Sequence, residues 1–192
     1  MVASTSHAPF VKYPADTAPP LRPAKILSTD EQAIDAARAL AAEARPSAAQ
    51  RDSQRQLPWQ AIEQFTQSGL GSISIPRAYG GPQVSFVTIA EVFKIISAAD
   101  PALGQIPQNQ FGIIHVLLNS ASEQQKKTLL KSVLDGWRIG NAGPERGTKN
   151  TLELKARITT HNGQLSISGQ KFYSTGALFA HWVAVKALNY QG

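Results

Sequence analysis

From Ser28 onward the apolar positions recur at helical spacing. Ser28, Thr29 and Asp30 offer N-cap side chains, and Ala33, Ile34, Ala37, Leu40, Ala41 and Ala44 form one stripe. That stripe predicts a helix stopping before Pro46, because proline lacks the N–H the next turn needs. Pro58 suits a first helical turn and precedes Trp59, Ile62 and Phe65 on one side, with Gly69 as the stop. Residues 69–85 are rich in glycine and proline and predict a connecting loop. Residues 86–99 carry only Glu91 and Lys94 as charges, so a helix there is expected to be central and buried on several sides. Pro101 breaks the chain, and residues 103–119 resume with Ile113, Ile114, Val116, Leu117 and Leu118. Ser122 and Gln125 form a capping box ahead of Leu129, Leu130, Val133 and Leu134, with Gly136 as the stop. The expectation is a bundle of roughly five helices.

The period then changes to two. Leu152, Leu154, Ala156 and Ile158 alternate with Thr151, Glu153, Lys155 and Arg157, as in a half-buried strand. Asn162-Gly163 signals a hairpin leading to Leu165 and Ile167, and residues 181–188 read as a further strand. Three strands are too few to close a sheet covered on both faces. The fold class expected is α+β: an all-α N-terminal domain over residues 28–137, followed by the start of a β-barrel-like middle domain over residues 138–192. Residues 1–27 hold Pro9, Pro14, Pro19, Pro20 and Pro23 without apolar periodicity and are expected to form a disordered, extended arm.

Composition narrows the chemistry. With 192 residues, 42% hydrophobic and 17% charged, the chain can build a core. It has no cysteine, which excludes disulfides, Fe–S clusters, thiolate zinc sites and a cysteine nucleophile. Four scattered histidines leave little for a metal site, and none is expected. No apolar run approaches the ~20 residues of a membrane span, no signal peptide is recognisable, and a cytoplasmic location is expected. The net charge of +6 is uneven: residues 1–137 hold 12 basic and 11 acidic side chains, and residues 138–192 hold 7 and 2. Such a basic segment is either a solvated β-surface or a surface that meets phosphates, of a nucleotide cofactor or of nucleic acid.

Two segments flank the change from helix to strand. Residues 140–150, GNAGPERGTKN, combine Gly140, Gly143 and Gly147 with Asn141, Arg146, Thr148 and Lys149, so backbone N–H groups can approach a ligand. A plain interdomain loop explains the same residues. Residues 169–177, GQKFYSTGA, place Tyr173 beside Ser174 and Thr175, an aromatic plane next to hydroxyls that suits a flat heterocycle; an ordinary strand end is the alternative. His115 lies in an apolar helical stretch and reads as a satisfied core histidine. No Ser-His-Asp order, H-E-x-x-H or close carboxylate pair is present, and Glu145 is the only carboxylate in the glycine-rich loop.

Taken in order, GLGSISIPRAYGG (residues 69–81), the central helix, GNAGPERG (140–147) and SGQKFYSTGALFAHW (168–182) resemble the acyl-CoA dehydrogenase superfamily. The last two look most like its sulfur-acquisition branch, similar to flavin-dependent monooxygenases of dibenzothiophene and alkyl sulfones. The resemblance implies a helical domain, a middle β-domain and a C-terminal four-helix domain, with FMN or FAD between them. By it the chain is expected to end inside the middle domain, leaving the catalytic base beyond Gly192. In the dehydrogenases, a carboxylate removes a substrate proton while hydride passes to flavin. In the monooxygenases, flavin reduced by a separate reductase reacts with oxygen. The partners implied are flavin, a small organosulfur or acyl substrate, a flavin reductase and further copies of the chain.

The resemblance assigns Asn141, Ala142, Gly143, Tyr173, Ser174 and Thr175 to the flavin. Asn141 faces its reactive edge as the one catalytic candidate, Thr175 bonds near N5, and Tyr173 lies beside the ring system. Glu145 is implied to be structural. Two positions depart from the family: Pro144 replaces a Ser or Thr, removing a hydroxyl and an N–H, and Gln110 replaces a histidine of the branch. Both departures also fit an inactive, shortened product. A different class of reading, a helical module whose basic C-terminal segment binds nucleic acid or another anionic partner, lacks a recognition helix and an aromatic stacking platform.

Overall fold

A computed structural model describes residues 23–150 and 152–189. Six helices come first: α1 (Asp30–Ser53), α2 (Trp59–Gln67), α3 (Phe86–Ala99), α4 (Pro101–Gln105), α5 (Gln108–Ser120) and α6 (Glu123–Leu134). Four strands follow: β1 (Ile139–Ala142), β2 (Arg157–His161), β3 (Gln164–Ser168) and β4 (Trp182–Val185). β1 pairs in parallel with β4, and β2 pairs antiparallel with β3. None of the described helices is long and apolar enough to cross a membrane. Of the expected arm, residues 1–22 lie outside the described residues. Lys25 N–H donates to the Gln67 carbonyl at 3.0 Å, and Leu27 is buried in the core.

The helix starts are those the side chains announce. Thr29 caps α1 by accepting from the Gln32 N–H at 3.2 Å, Ser85 caps α3, and the Ser122–Gln125 box opens α6 with both reciprocal bonds made. The stop expected before Pro46 does not occur, and α1 continues to Ser53. Proline forfeits one intrahelical bond, and tertiary contacts beyond it offset the loss. Arg51 Nη2 donates to the Ala44 carbonyl at 3.0 Å and to Asp100 Oδ2 at 2.6 Å. Asp100 in turn caps α4 through the Ala102 and Leu103 N–H groups, so the last turns of α1 are held to the α3–α4 corner.

α3 departs from expectation in its surroundings. Thr88, Val92, Ile96 and Ala99 are buried, but Phe86 and Val87 are 80% and 81% exposed, so α3 packs by one face rather than several. The broad 103–119 expectation resolves into α4 and α5, and the 69–85 loop contains two single 3₁₀ turns, Leu70–Ser72 and Arg77–Tyr79.

The β-segment is corrected in three places. Residues 139–142, expected to be part of a loop, form β1. The strand expected from Thr151 begins at Arg157: the Asn150 side chain accepts from the Leu152 and Glu153 N–H groups, a local turn that competes with extension, and Leu152 is 85% exposed. The strand expected over 181–188 spans only Trp182–Val185. The hairpin is as anticipated, with Asn162 and Gly163 at φ of 49° and 77°, the doubly left-handed pair that matches strand twist.

Two apolar clusters hold these parts together. Leu40, Ile62, Phe65, Leu70, Ile73, Val92, Ile96 and Leu103 pack with Phe179; Ile75, Ile114, Leu130 and Val133 pack with Ile139. Each helical cluster thus contains a residue from the β-segment. Polar contacts complete the joint. Gln110, 4% exposed, donates from Nε2 to the Gly71 carbonyl at 2.7 Å and accepts the Ile139 N–H on Oε1 at 2.9 Å. Arg138 donates to the Phe179 carbonyl at 2.6 Å and to Glu63 at 2.9 Å, and its backbone exchanges two 2.9 Å bonds with His181, one of them to Nδ1. Gly140 is required because a Cβ there would lie 2.8 Å from the Ala177 backbone.

Two outcomes follow for stability. Gln110→Leu strips partners from two buried backbone groups and is expected to cost about 2–4 kcal/mol in urea unfolding, with helix content retained. His181 is held below its ordinary pKa by burial and then by the Arg138 charge, against the pull of Glu63. Below pH ~6.5 the unfolded chain therefore takes up a proton that the fold resists, so stability falls as pH drops through that value. Melting curves across pH 5–8 check this, and His181→Gln should flatten the dependence.

Candidate functional site

β1 runs into the glycine-rich loop, and the 171–176 segment crosses beside it on the way to β4. The Asn141 N–H donates to the Thr175 carbonyl at 3.1 Å, and the Phe172 N–H donates to the Pro144 carbonyl at 2.9 Å. These bonds bring the two segments singled out from sequence side by side. Pro144 has no N–H to donate, and its carbonyl is what joins the lacing.

Of the expected flavin residues, Ala142 and Gly143 are buried, Asn141, Ser174 and Thr175 are half-buried, and Tyr173 is 69% exposed. Ala142 pairs across the parallel sheet, its carbonyl accepting from the Lys186 N–H at 3.1 Å. Asn141 and Thr175 are thus joined through their backbones. Tyr173 stands apart as an outward-facing ring. It adopts φ of +56°, a strained conformation for a tyrosine, within a turn closed by the Thr175 N–H to Tyr173 carbonyl bond. Arg146 lies over the Phe172 and Tyr173 rings at 4.6 and 5.1 Å and donates to the Tyr173 hydroxyl at 3.2 Å.

The amide of Asn141 and the hydroxyls of Ser174 and Thr175 are half-buried polar side chains of these segments. Their chemistry fits the edge of a flat heteroaromatic ring, which carries both donors and acceptors. A small cavity of about 20 Å³ is lined by Thr66, Gln110, Trp137, Arg138 and Gly176. It takes one water-sized group and not a ring.

Glu145 anchors the loop from below. Its side chain is 3% exposed, pairs with Lys171 Nζ at 2.6 Å, and accepts the Lys155 and Ala156 N–H groups at 2.7 and 2.9 Å. The Lys171 hydrogen bond foremost, then the Ala156 N–H, draws its pKa down from 4.5 to about 2. A carboxylate this acidic is no general base near neutrality.

One sequence reading is overturned, that of His115 as a core histidine. Gln110, for its part, holds backbone on both of its ends. His115 is exposed, beside Asn119 Nδ2 at 3.4 Å, because α5 buries Gln110 and Ile114 and turns the next position outward. Lys171 and Arg138 escaped notice because their partners are 26 and 75 residues away, beyond any local spacing rule.

Comparison with known proteins is consistent with this architecture. The acyl-CoA dehydrogenase N-terminal domain matches residues 28–137. Dibenzothiophene monooxygenase of Rhodococcus erythropolis is 30% identical over 152 residues, covering 78% of this chain and 36% of the relative. The 3-sulfinopropanoyl-CoA desulfinase of Paraburkholderia xenovorans is 28% identical over 170 residues, covering 85% and 44%. The crystal structure of FMN-bound TdsC from Paenibacillus sp. A11-2 superposes with a TM-score of 0.74 at 26% identity, covering 84% of this chain and 40% of that one. The chain therefore spans less than half the length of these relatives. By its matched helical domain, the chain belongs to the acyl-CoA dehydrogenase family.

Proposed function

We propose that this chain contributes one wall of a flavin site in an oxidoreductase that uses reduced FMN to monooxygenate a small organosulfur compound. The observation that carries the reading is the pairing of Asn141 with Thr175 at the junction of helix and strand, in a chain similar to a dibenzothiophene monooxygenase and to an FMN-bound structure. FAD with CH–CH oxidation of an acyl-CoA is the alternative within the same family.

The bound flavin would supply the oxygen chemistry. The Asn141 amide, as the catalytic group of this chain, would donate a hydrogen bond toward the flavin. The Thr175 and Ser174 hydroxyls and the backbone N–H groups of Ala142 and Gly143 would help hold its polar atoms, with Tyr173 as an aromatic neighbour. The division into a helical unit to residue 137 and a β-unit from 138 belongs to this reading. So do a cytoplasmic location, self-association, a reductase partner and an organosulfur substrate held partly by surfaces outside this chain.

Titration with oxidised and reduced FMN, and with FAD in parallel, tests the reading through flavin fluorescence and absorbance. Saturable FMN binding is expected, about tenfold weaker in Asn141→Ala and in Thr175→Val, each of which removes one hydrogen bond. Absence of saturable binding of either flavin overturns it, and tighter FAD than FMN binding favours the dehydrogenase alternative.

A further inference from the structure

Residues 138–192 hold 7 basic and only 2 acidic side chains, yet one of those two carboxylates is almost fully enclosed. The Glu145 side chain is 3% exposed and that of Lys171 9%, with Nζ and Oε1 2.6 Å apart, though both residues are half-buried as a whole. Both ends are further engaged. Lys171 Nζ also donates to the Gly143 carbonyl at 3.1 Å, and Glu145 also accepts the N–H groups of Lys155 and Ala156. One ion pair therefore touches three separate stretches of chain.

Its placement relative to the ligand-facing groups is close. Gly143 is two residues beyond Asn141, and Lys171 is two residues before Tyr173 and four before Thr175. The remaining contacts between the two segments are two backbone bonds, Asn141 to Thr175 and Phe172 to Pro144, and the exposed Arg146 over the Phe172 and Tyr173 rings with its bond to the Tyr173 hydroxyl. The backbone bonds carry no charge, and the Arg146 contact lies at the solvent-facing side, so Glu145 and Lys171 form the one enclosed ion pair among the described contacts between them. The energetics of buried ion pairs bear on what this one does. Removing two charges from water offsets most of their attraction, so an apolar pair of similar shape is often equally stable. What the pair supplies in excess of apolar packing is a directional constraint, met only when segments 143–145, 155–156 and 171 are in one register.

We infer that Glu145 and Lys171 are a positioning pair that sets the Asn141–Gly143 and Tyr173–Thr175 segments against each other before any ligand arrives. The inference rests on the flavin reading above only for what the assembled segments bind. Neither residue is a catalytic group. Glu145 is fully engaged as an acceptor and stays ionised across the physiological range, and the Lys171 ammonium is held beneath the loop. Pre-assembly lowers the ordering cost of binding, so loss of the pair acts on affinity for a ring held by both segments.

The full chain carrying Glu145→Gln together with Lys171→Met tests this, beside Lys171→Arg. Amide hydrogen exchange without flavin is read at residues 143–146 and 171–175, with FMN titration and the visible circular dichroism of bound FMN as separate readouts. The double variant is expected to melt within about 5 °C of the parent, since both charges leave together. Exchange in both segments is expected about tenfold faster and FMN affinity about tenfold weaker, with an altered flavin dichroism; Lys171→Arg restores most of each. Unchanged exchange in the double variant overturns the inference, and so does loss of folding, which would make the pair a stability element. If the parent chain binds no flavin, the functional reading fails by itself, and the exchange comparison still decides the role of the pair.

Discussion

A buried primary amide needs a partner for its amino group and one for its oxygen, and Gln110 finds both by reaching two ways. Its amino group takes the Gly71 carbonyl and its oxygen takes the Ile139 N–H. Ile139 is the first residue of β1, so the side chain of a helix sets where the first strand leaves the bundle. The constraint is strong because the alternatives are poor: a shifted strand would leave a buried donor and a buried acceptor unpaired. Everything downstream inherits that starting point, including the register of β1 on β4 and the place where the glycine-rich loop begins.

Arg138 extends the same logic with charge. Its guanidinium joins α2, through Glu63 and Thr66, to the Phe179 carbonyl, and its backbone is paired with His181. Phe179 in turn sits in the helical core, against Trp59 at 4.4 Å between ring centroids. The two β-segments that carry the candidate ligand groups are thus anchored to the bundle at their ends and laced to each other between. Helix and strand share one interior at this joint, which is a reasonable platform for a site that needs side chains held to fractions of an ångström.

The family connection and the local chemistry bear on different questions. Belonging to the acyl-CoA dehydrogenase family follows from the helical domain, which contains none of the candidate ligand groups. The residues proposed for the flavin lie in the β-segment, beyond the matched domain. Both positions that the resemblance marks as departures take structural roles in the fold: Pro144 laces the loops through its carbonyl, and Gln110 joins helix to strand.

Local signals in the chain determined the helix caps at Thr29 and Ser122, the Asn162-Gly163 hairpin, the order of helices before strands, and the two segments that meet at the junction. Each depends on residues within a few positions, where backbone geometry and side-chain reach are fixed by sequence spacing. Tertiary structure alone decided that α1 runs on through Pro46, because the stabilising donor and acceptor, Arg51 and Asp100, meet across 49 residues. It also decided the one-sided burial of α3, the late start of β2 and the outward turn of His115. The same holds for the partners of Glu145, Gln110 and Arg138: a charge or an amide in the chain declares a need for a partner, and only the folded path determines which distant group answers it.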